Sequence, residues 1–300
     1  MIDMTQTDPA AEWRRYSREE LNFKYIVRRQ VPDWAQYLSG WKSRSADLRA
    51  RYSRHLDIRY GEHEAETLDL FLPEWSAEGA PVQILFHGGF WRALNKDEFA
   101  FVAAPGLECG IAAVVVNYAL CPTVSMTDLV TQCRRAVAWT VTHIGSLAGS
   151  ADNFYLSGHS AGAHLVASML ATDWSSFGLP RPPSVRAACC VSGLYDLAPM
   201  RCIDLQDDLR LTEAEVETLS PIHQPLYHQP TMLLATGALE SSEFTRQTAL
   251  YASYALNAGA RVNSEQVPDR HHYSVLDALA DPQHSLCRAW IETIARATVV

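Results

Sequence analysis

The sequence has 300 residues, of which 48% are hydrophobic and 20% are charged, and this composition excludes a disordered or fibrous chain. The formal net charge of -9 excludes a nucleic-acid-binding protein, because phosphate contacts need clustered Lys and Arg side chains. The seven cysteines form no C-x-x-C pair, residues 1–20 are polar, and no run of about 18 apolar residues occurs, so we expect a cytoplasmic protein that contacts no membrane.

The N-terminal region, residues 10–52, has helical spacing and many aromatic side chains. Basic residues lie among these aromatics, as they would in a strip for single-stranded nucleic acid, but the acidic chain favours an amphipathic helical layer with solvated charges. No linker rich in Pro, Gly or Ser separates this region from the rest. We therefore predict one domain over residues 1–300, with residues 10–52 packed on it as a helical layer.

The remainder of the chain predicts an α/β fold. Residues 55–60 and 67–72 are typical of an antiparallel pair of strands. From residue 82 onward, short β-branched runs alternate with longer helical patterns, which predicts a mostly parallel sheet of about eight strands with helices on both faces. The predicted strands of this part are 82–86, 111–118, 154–157, 187–192, 232–236 and 262–267, and the predicted helices are 127–143, 160–172, 242–259 and 282–298.

The pentapeptide GHSAG at residues 158–162 lies between a predicted strand and a predicted helix. A G-x-S-x-G sequence in this context indicates a nucleophile elbow, in which Ser160 sits on a sharp turn and small neighbours avoid clashes. By itself the pentapeptide is equally compatible with a helix that begins at a serine cap. The other parts of an acyl-transfer site must therefore decide between the two.

An oxyanion hole is predicted from the loop HGGFW at residues 87–91, which follows the strand 82–86. Glycines let the backbone approach a substrate, so that N–H groups point at the oxygen that becomes negative. A further donor would be the N–H group of the residue after Ser160. The candidate oxyanion residues are Gly88, Gly89, Phe90 and Ala161.

A serine nucleophile needs a histidine base, which in this chain order follows the last strand. His271, His272 and His284 meet that condition, and we predict His272, because it precedes the aromatic residue that begins the final helical pattern; His271 stays an alternative. The other histidines have no spacing typical of metal ligands, so we predict no metal site.

The acid that orients the base should follow the strand 232–236. We predict Glu240, which falls in the loop at that strand's end. Glu243 lies in the first turn of the next helix, where interaction with the helix dipole, with Ser241 or Ser242 as cap, explains it. Asp196 at the end of the preceding strand is the reserve candidate.

With these residues in place, the chain resembles the α/β-hydrolase superfamily, and within it the branch of arylformamidases (kynurenine formamidases) and hormone-sensitive-lipase-like esterases. The loop HGGFW is similar to the formamidase loop HGGYW, and GHSAG matches its elbow. The resemblance implies an α/β-hydrolase fold, with Ser160 as nucleophile, Glu240 as acid and His272 as base. Two positions depart from that family, because Glu240 stands where formamidases typically have Asp and Phe90 replaces the loop tyrosine.

These residues together predict a serine hydrolase that cleaves a small-molecule amide or ester through an acyl-enzyme without a cofactor. The first choice is an arylformamidase-like amidase for N-formyl or N-acyl arylamines. A carboxylesterase is the alternative, and a non-catalytic receptor or scaffold with a hydrolase fold is a remote one. A homodimer is left open. Aromatic and polar side chains near the elbow are expected to line the substrate pocket: Phe90, Trp91, Tyr118 and His159.

Overall fold

Eight strands form one sheet in the structure, a computed structural model that describes residues 9–74, 80–147, 149–179 and 182–298. The order of the strands across the sheet is β1-β2-β4-β3-β5-β6-β7-β8. The strands are β1 Ser53–Arg59, β2 Thr67–Leu72, β3 Ala80–Phe86, β4 Ala112–Val116, β5 Gly149–His159, β6 Val185–Val191, β7 Thr231–Gly237 and β8 Arg261–Val267.

Strand direction follows the pattern that the sequence predicts. β2 pairs antiparallel with both β1 and β4, whereas the other five pairings are parallel. At the centre of the sheet, Val82 of β3 pairs with Ala112 of β4 on one side and with Phe154 of β5 on the other. The central strands are buried along nearly their whole length, because helices cover both faces of a parallel sheet. This architecture confirms the predicted α/β-hydrolase fold.

Helices connect the strands and flank the sheet. The long helices α5, α6, α9 and α11 pack on the central and C-terminal strands, close to the predicted helical segments. The α-helices are α1 Arg18–Tyr25, α2 Trp34–Arg51, α3 Lys96–Phe99, α4 Ala104–Glu108, α5 Met126–Leu147, α6 Ala161–Leu170, α7 Gln206–Leu209, α8 Glu213–Leu219, α9 Ser242–Asn257, α10 Ser274–Leu279 and α11 Ser285–Thr298. In the described part of the chain, none of them combines the length and apolar character needed to cross a membrane.

The N-terminal helices pack on the elements that carry the candidate site. α2 contacts α3, and its Trp41 donates an indole N–H to the Asp277 carboxylate of α10 at 2.9 Å. α1 packs on α9, where the Tyr25 hydroxyl donates to Glu243 at 2.6 Å. The expectation that Glu243 serves only the helix dipole is therefore wrong. Its carboxylate is 1% exposed and also pairs with Arg246 at 2.9 Å, so it anchors the N-terminal layer.

Candidate active site

Ser160 occupies the sharp turn between β5 and α6. Its backbone has a positive φ, with φ 56° and ψ -121°, and its N–H donates to the carbonyl of Val191 at 2.8 Å. A Cβ at Gly158 would lie 2.2 Å from the carbonyl oxygen of Gly162, and one at Gly162 would lie 2.0 Å from that of Phe86. No side chain fits at either position. The two glycines of the pentapeptide are thus required by close backbone packing, and the serine is held in strain at the sheet's carboxyl edge.

Glu240 and His272 meet at the ends of β7 and β8. His272 Nδ1 lies 2.7 Å from Glu240 Oε2, and both side chains are buried, at 5% and 0% exposure. The other carboxylate oxygen, Oε1, accepts from the Gly237 N–H at 2.7 Å and from the Ser192 hydroxyl at 2.5 Å. The contact with Oε2 places the ring proton of His272 on Nδ1, so that Nε2 can act as an acceptor.

Ser160 and His272 both line a cavity of about 150 Å³. Its apolar wall comes largely from the N-terminal layer, through Val27, Leu38 and Trp41. Phe90 and His159, which the sequence suggests as pocket residues, also contribute to this wall. Ser160 and His272, the candidate nucleophile and base, therefore line one cavity, which residues distant in the sequence cover.

The loop after β3 runs beside the serine. A Cβ built on Gly88 would lie 3.4 Å from Ser160 Cβ, so the loop backbone lies next to Ser160. Gly89, Phe90 and Trp91 all have positive φ, at 111°, 51° and 56°. Consecutive amides in such a turn can form a concave site for an anion. The N–H of Ala161 lies in the first turn of α6, where amides have no acceptor within the helix.

Trp91 and Tyr118 do not line the cavity, contrary to the sequence-based expectation. Both are buried behind the loop, at 0% and 1% exposure. The Trp91 indole donates to His164 Nδ1 at 3.2 Å, and the Tyr118 hydroxyl donates to the His87 carbonyl at 2.7 Å. Their large apolar faces pack in the core, and their polar atoms make hydrogen bonds that hold the loop 87–91 in place.

The buried histidines around this loop are neutral. Burial lowers the pKa of His87 to about 4 and that of His164 to about 4. Burial, followed by the neighbouring His272, lowers the pKa of His159 well below its usual range. The His159 Nε2–H donates to the carbonyl oxygen of His272 at 2.8 Å, which fixes the backbone of the candidate base. Sequence reasoning missed this supporting role of His159 and the contact of Ser192 with Glu240.

The residues that the sequence offers as alternatives for the base and the acid make other hydrogen bonds. His271 Nδ1 accepts from the N–H groups of Tyr273 and Ser274, both at 3.2 Å, and its Nε2 contacts the Tyr37 hydroxyl at 3.1 Å. His271 thus caps α10. Asp196 accepts from the N–H of Ala198 at 3.0 Å. His284 likewise uses its Nδ1 to accept the N–H of Leu286 at 3.1 Å.

Among residues 9–74, 80–147, 149–179 and 182–298, no cluster of three or more His, Cys, Asp or Glu side chains could hold a metal ion. A serine on an elbow, a carboxylate–histidine pair and a loop of strained backbone amides are the parts of an acyl-transfer site.

This fold and this combination of parts define an α/β-hydrolase. The family model BD-FAE matches residues 68–232. Kynurenine formamidase of Danio rerio is 32% identical over 298 residues, which are 96% of this chain and 100% of that protein. The chain therefore belongs to the BD-FAE family and to the kynurenine formamidase branch of the α/β-hydrolases, and it is a hydrolase.

Two further comparisons agree with that assignment. The crystal structure of a protein from Silicibacter sp. TM1040 superposes on this chain with a TM-score of 0.76. The two sequences are 27% identical, and the superposition covers 90% of this chain and 98% of that one. An isoprenylcysteine alpha-carbonyl methylesterase of Arabidopsis thaliana is 29% identical over 113 residues, which are 38% of this chain and 26% of that protein. The similarity to the formamidase extends over the whole of that protein, whereas the similarity to the methylesterase is confined to 113 residues.

Proposed function

We propose that the protein hydrolyses N-formyl arylamines with Ser160 as nucleophile, His272 as general base and Glu240 as the orienting acid. The observation that carries this assignment is the 2.7 Å contact between Glu240 Oε2 and Nδ1 of His272, a residue that lines the same cavity as Ser160. The three residues come from three separate strand ends. The meeting of Ser160 and His272 at one cavity, with Glu240 bonded to His272, supports a catalytic role over a structural one.

In the acylation step, Ser160 Oγ attacks the formyl carbon while its proton passes to His272 Nε2. The Glu240 carboxylate stabilises the imidazolium that forms. The negative oxygen of the tetrahedral intermediate accepts hydrogen bonds from the amides of Gly89, Phe90 and Ala161. His272 then protonates the nitrogen as the C–N bond breaks, and the arylamine leaves.

In the deacylation step, water attacks the formyl-enzyme, with His272 again as base. The same amides stabilise the second tetrahedral intermediate, whose collapse releases formate and restores the Ser160 hydroxyl. All groups in this cycle are amino-acid side chains or backbone amides, so the proposal includes no cofactor. The seven cysteines are unpaired in the described structure, which supports the further proposal of a cytoplasmic location.

The choice of an arylformamide rests on similarity and on the cavity. The kynurenine formamidase relative matches 96% of this chain at 32% identity. The cavity is small, about 150 Å³, and its wall includes Trp41 and Phe90. A flat aryl group can pack against such apolar faces, and formyl is the smallest acyl group.

The direct test compares Ser160→Ala with the wild-type enzyme on formanilide and p-nitrophenyl acetate. We expect turnover and covalent labelling by a fluorophosphonate to vanish in Ser160→Ala, with an unchanged melting temperature. Ser146→Ala, which changes an exposed serine on α5, is the matched control and should behave as wild type. Wild-type rates in Ser160→Ala would overturn the mechanism.

A carboxylesterase is the second candidate, because the methylesterase of Arabidopsis thaliana is similar to part of the chain. Both reactions use the same three side chains and differ in whether His272 must protonate a nitrogen or an oxygen. The ratio of kcat/KM on formanilide to that on phenyl formate separates the two candidates. A protein that resisted fluorophosphonate labelling altogether would instead be a non-catalytic member of the fold.

A further inference from the structure

His159 has one ring nitrogen that no other group in the described part of the chain contacts by a hydrogen bond. Its Nε2–H donates to the carbonyl oxygen of His272 at 2.8 Å, whereas its Nδ1 has no hydrogen-bond partner among the described residues. A carbonyl group only accepts, and burial lowers the pKa of the ring and keeps it neutral, so the single ring proton is on Nε2 and Nδ1 is an acceptor. Because His159 is only 3% exposed, an acceptor without a donor is costly there and needs a partner that enters from outside.

His164 is a second buried histidine, and in it both ring nitrogens have partners. Its Nε2–H donates to the carbonyl of Leu219 at 2.8 Å, and its Nδ1 accepts from the Trp91 indole at 3.2 Å. His164 does not line the cavity, whereas His159 does. Nδ1 of His159 keeps accessible surface, unlike the sealed Nε2 of His87, and the space that His159 borders is the cavity. The acceptor is therefore open to a bound substrate.

This open nitrogen lies among the parts of the acyl-transfer site. A Cβ built on Gly88 would lie 3.2 Å from His159 Nδ1 and 3.4 Å from Ser160 Cβ, so both atoms border the same point of the loop 87–91. The ring centres of His159 and His272 are 4.6 Å apart. Nδ1 is thus next to the space where the scissile carbon bonds to Ser160 and where the leaving atom takes a proton from His272.

The chemistry of the leaving group determines what this acceptor can bind. After Ser160 Oγ has added to the formyl carbon of an arylamide, the nitrogen is tetrahedral and carries one hydrogen and one lone pair. The lone pair must point at His272 Nε2 to take the proton, so the N–H bond is turned away from the base and needs another acceptor. The C–N bond then breaks, and the arylamine leaves with its original hydrogen and the proton from His272. An ester oxygen has lone pairs and no hydrogen, so it leaves the acceptor unpaired.

We propose that His159 Nδ1 accepts the N–H of the scissile amide while the leaving nitrogen takes its proton, and so raises the rate on amides relative to the matching esters. This inference rests on the function proposed above and assigns its specificity for a nitrogen leaving group to one side chain. The hydrogen bond forms fully only when the nitrogen has become tetrahedral, so it stabilises the transition state more than the bound substrate.

The test measures kcat/KM on formanilide and on phenyl formate, which differ only in the leaving atom, for the wild-type enzyme and two variants of His159. His159→Gln keeps an N–H near the position of Nε2 and has no acceptor near that of Nδ1. His159→Asn keeps an acceptor oxygen near Nδ1 and has no donor at Nε2. We expect the ratio of amide to ester rates to fall about tenfold in His159→Gln and to stay near the wild-type value in His159→Asn. Both rates should fall together in His159→Asn, since the carbonyl of His272 loses its donor.

His164→Gln is the matched control, because it also keeps a donor for a backbone carbonyl, and the Nδ1 that it removes accepts from Trp91 rather than facing the cavity. Its two rates should change by the same factor. Each ratio is measured on one preparation, so it does not depend on the fraction of folded enzyme. An unchanged ratio in His159→Gln, or an equal fall in His159→Asn, would overturn the inference. A wild-type enzyme that cleaves phenyl formate but not formanilide would instead overturn the arylformamidase proposal, and this inference with it.

Discussion

Because Ser192 donates a hydrogen bond to Glu240, we predict that the Ser192 hydroxyl helps to hold the candidate base His272 in position. Ser192 is fully buried at the end of β6, and its Oγ lies 2.5 Å from Glu240 Oε1. A hydrogen bond to a charged group is worth about 1.5–3 kcal/mol. In Ser192→Ala, Glu240 keeps the Gly237 N–H and His272, so the pair persists but is held less firmly.

We expect kcat/KM of Ser192→Ala to fall by about tenfold or more, since 1.4 kcal/mol corresponds to one factor of ten. The loss should appear in kcat rather than in KM, because Ser192 and Glu240 orient His272 and do not line the cavity.

Ser192→Gly separates the hydroxyl from the backbone. Ser192 has φ 52°, a conformation that glycine adopts without strain, so the glycine variant removes the same donor while relieving the backbone. Both variants should lose activity equally, with KM unchanged, in stopped assays with formanilide. Wild-type kcat in Ser192→Gly, or a loss confined to KM in both variants, would refute the reasoning.

Three further predictions concern stability. Gly162→Ala places a Cβ 2.0 Å from a backbone oxygen of β3, and we expect a fall of several degrees in melting temperature with loss of activity; a variant as stable as wild type would contradict the elbow geometry. The pKa values of His87 and His164 are about 4 in the folded protein against 6.5 for the free side chain, so their contribution to stability is complete above about pH 6.5 and is lost as the pH falls toward 4. Denaturation with urea at a series of pH values should show a loss of about 3 kcal/mol for each of them, and a flat free energy of unfolding between pH 6.5 and 4 would exclude this burial effect. Tyr25→Phe removes a donor from the buried Glu243 carboxylate and should cost about 1–3 kcal/mol, measured by the same method; an unchanged midpoint would show that the hydroxyl does not anchor the N-terminal layer.

Features that depend on near neighbours in the chain could be predicted from the sequence. The strands followed from short β-branched runs, and the elbow followed from the glycines around Ser160, since only glycine allows such close backbone packing. The loop 87–91 was recognisable for the same reason. The order of serine, acid and histidine along the chain was enough to predict Glu240 and His272 as a pair, and the structure brings these two side chains into contact.

Features that depend on distant partners needed the tertiary structure. His271 and His272 are adjacent in sequence, and they differ because one accepts amides at the start of α10 whereas the other faces Glu240. The sequence explained Glu243 by its interaction with the dipole of its own helix, but its hydrogen-bond partner Tyr25 is 218 residues away. Likewise, sequence could not show that Trp91 points into the core, because an aromatic side chain suits a pocket wall and a core equally well.

The sequence by itself therefore determined the sheet, the elbow and the class of chemistry, because these depend on local backbone requirements and on residue order. Only the tertiary structure decided the shape and charge of the cavity. Its wall joins the N-terminal residues Arg28 and Trp41 to the loops after β3 and β8, and packing across such separations leaves no periodic pattern in the chain. The substrate preference proposed here is thus a property of the packed molecule.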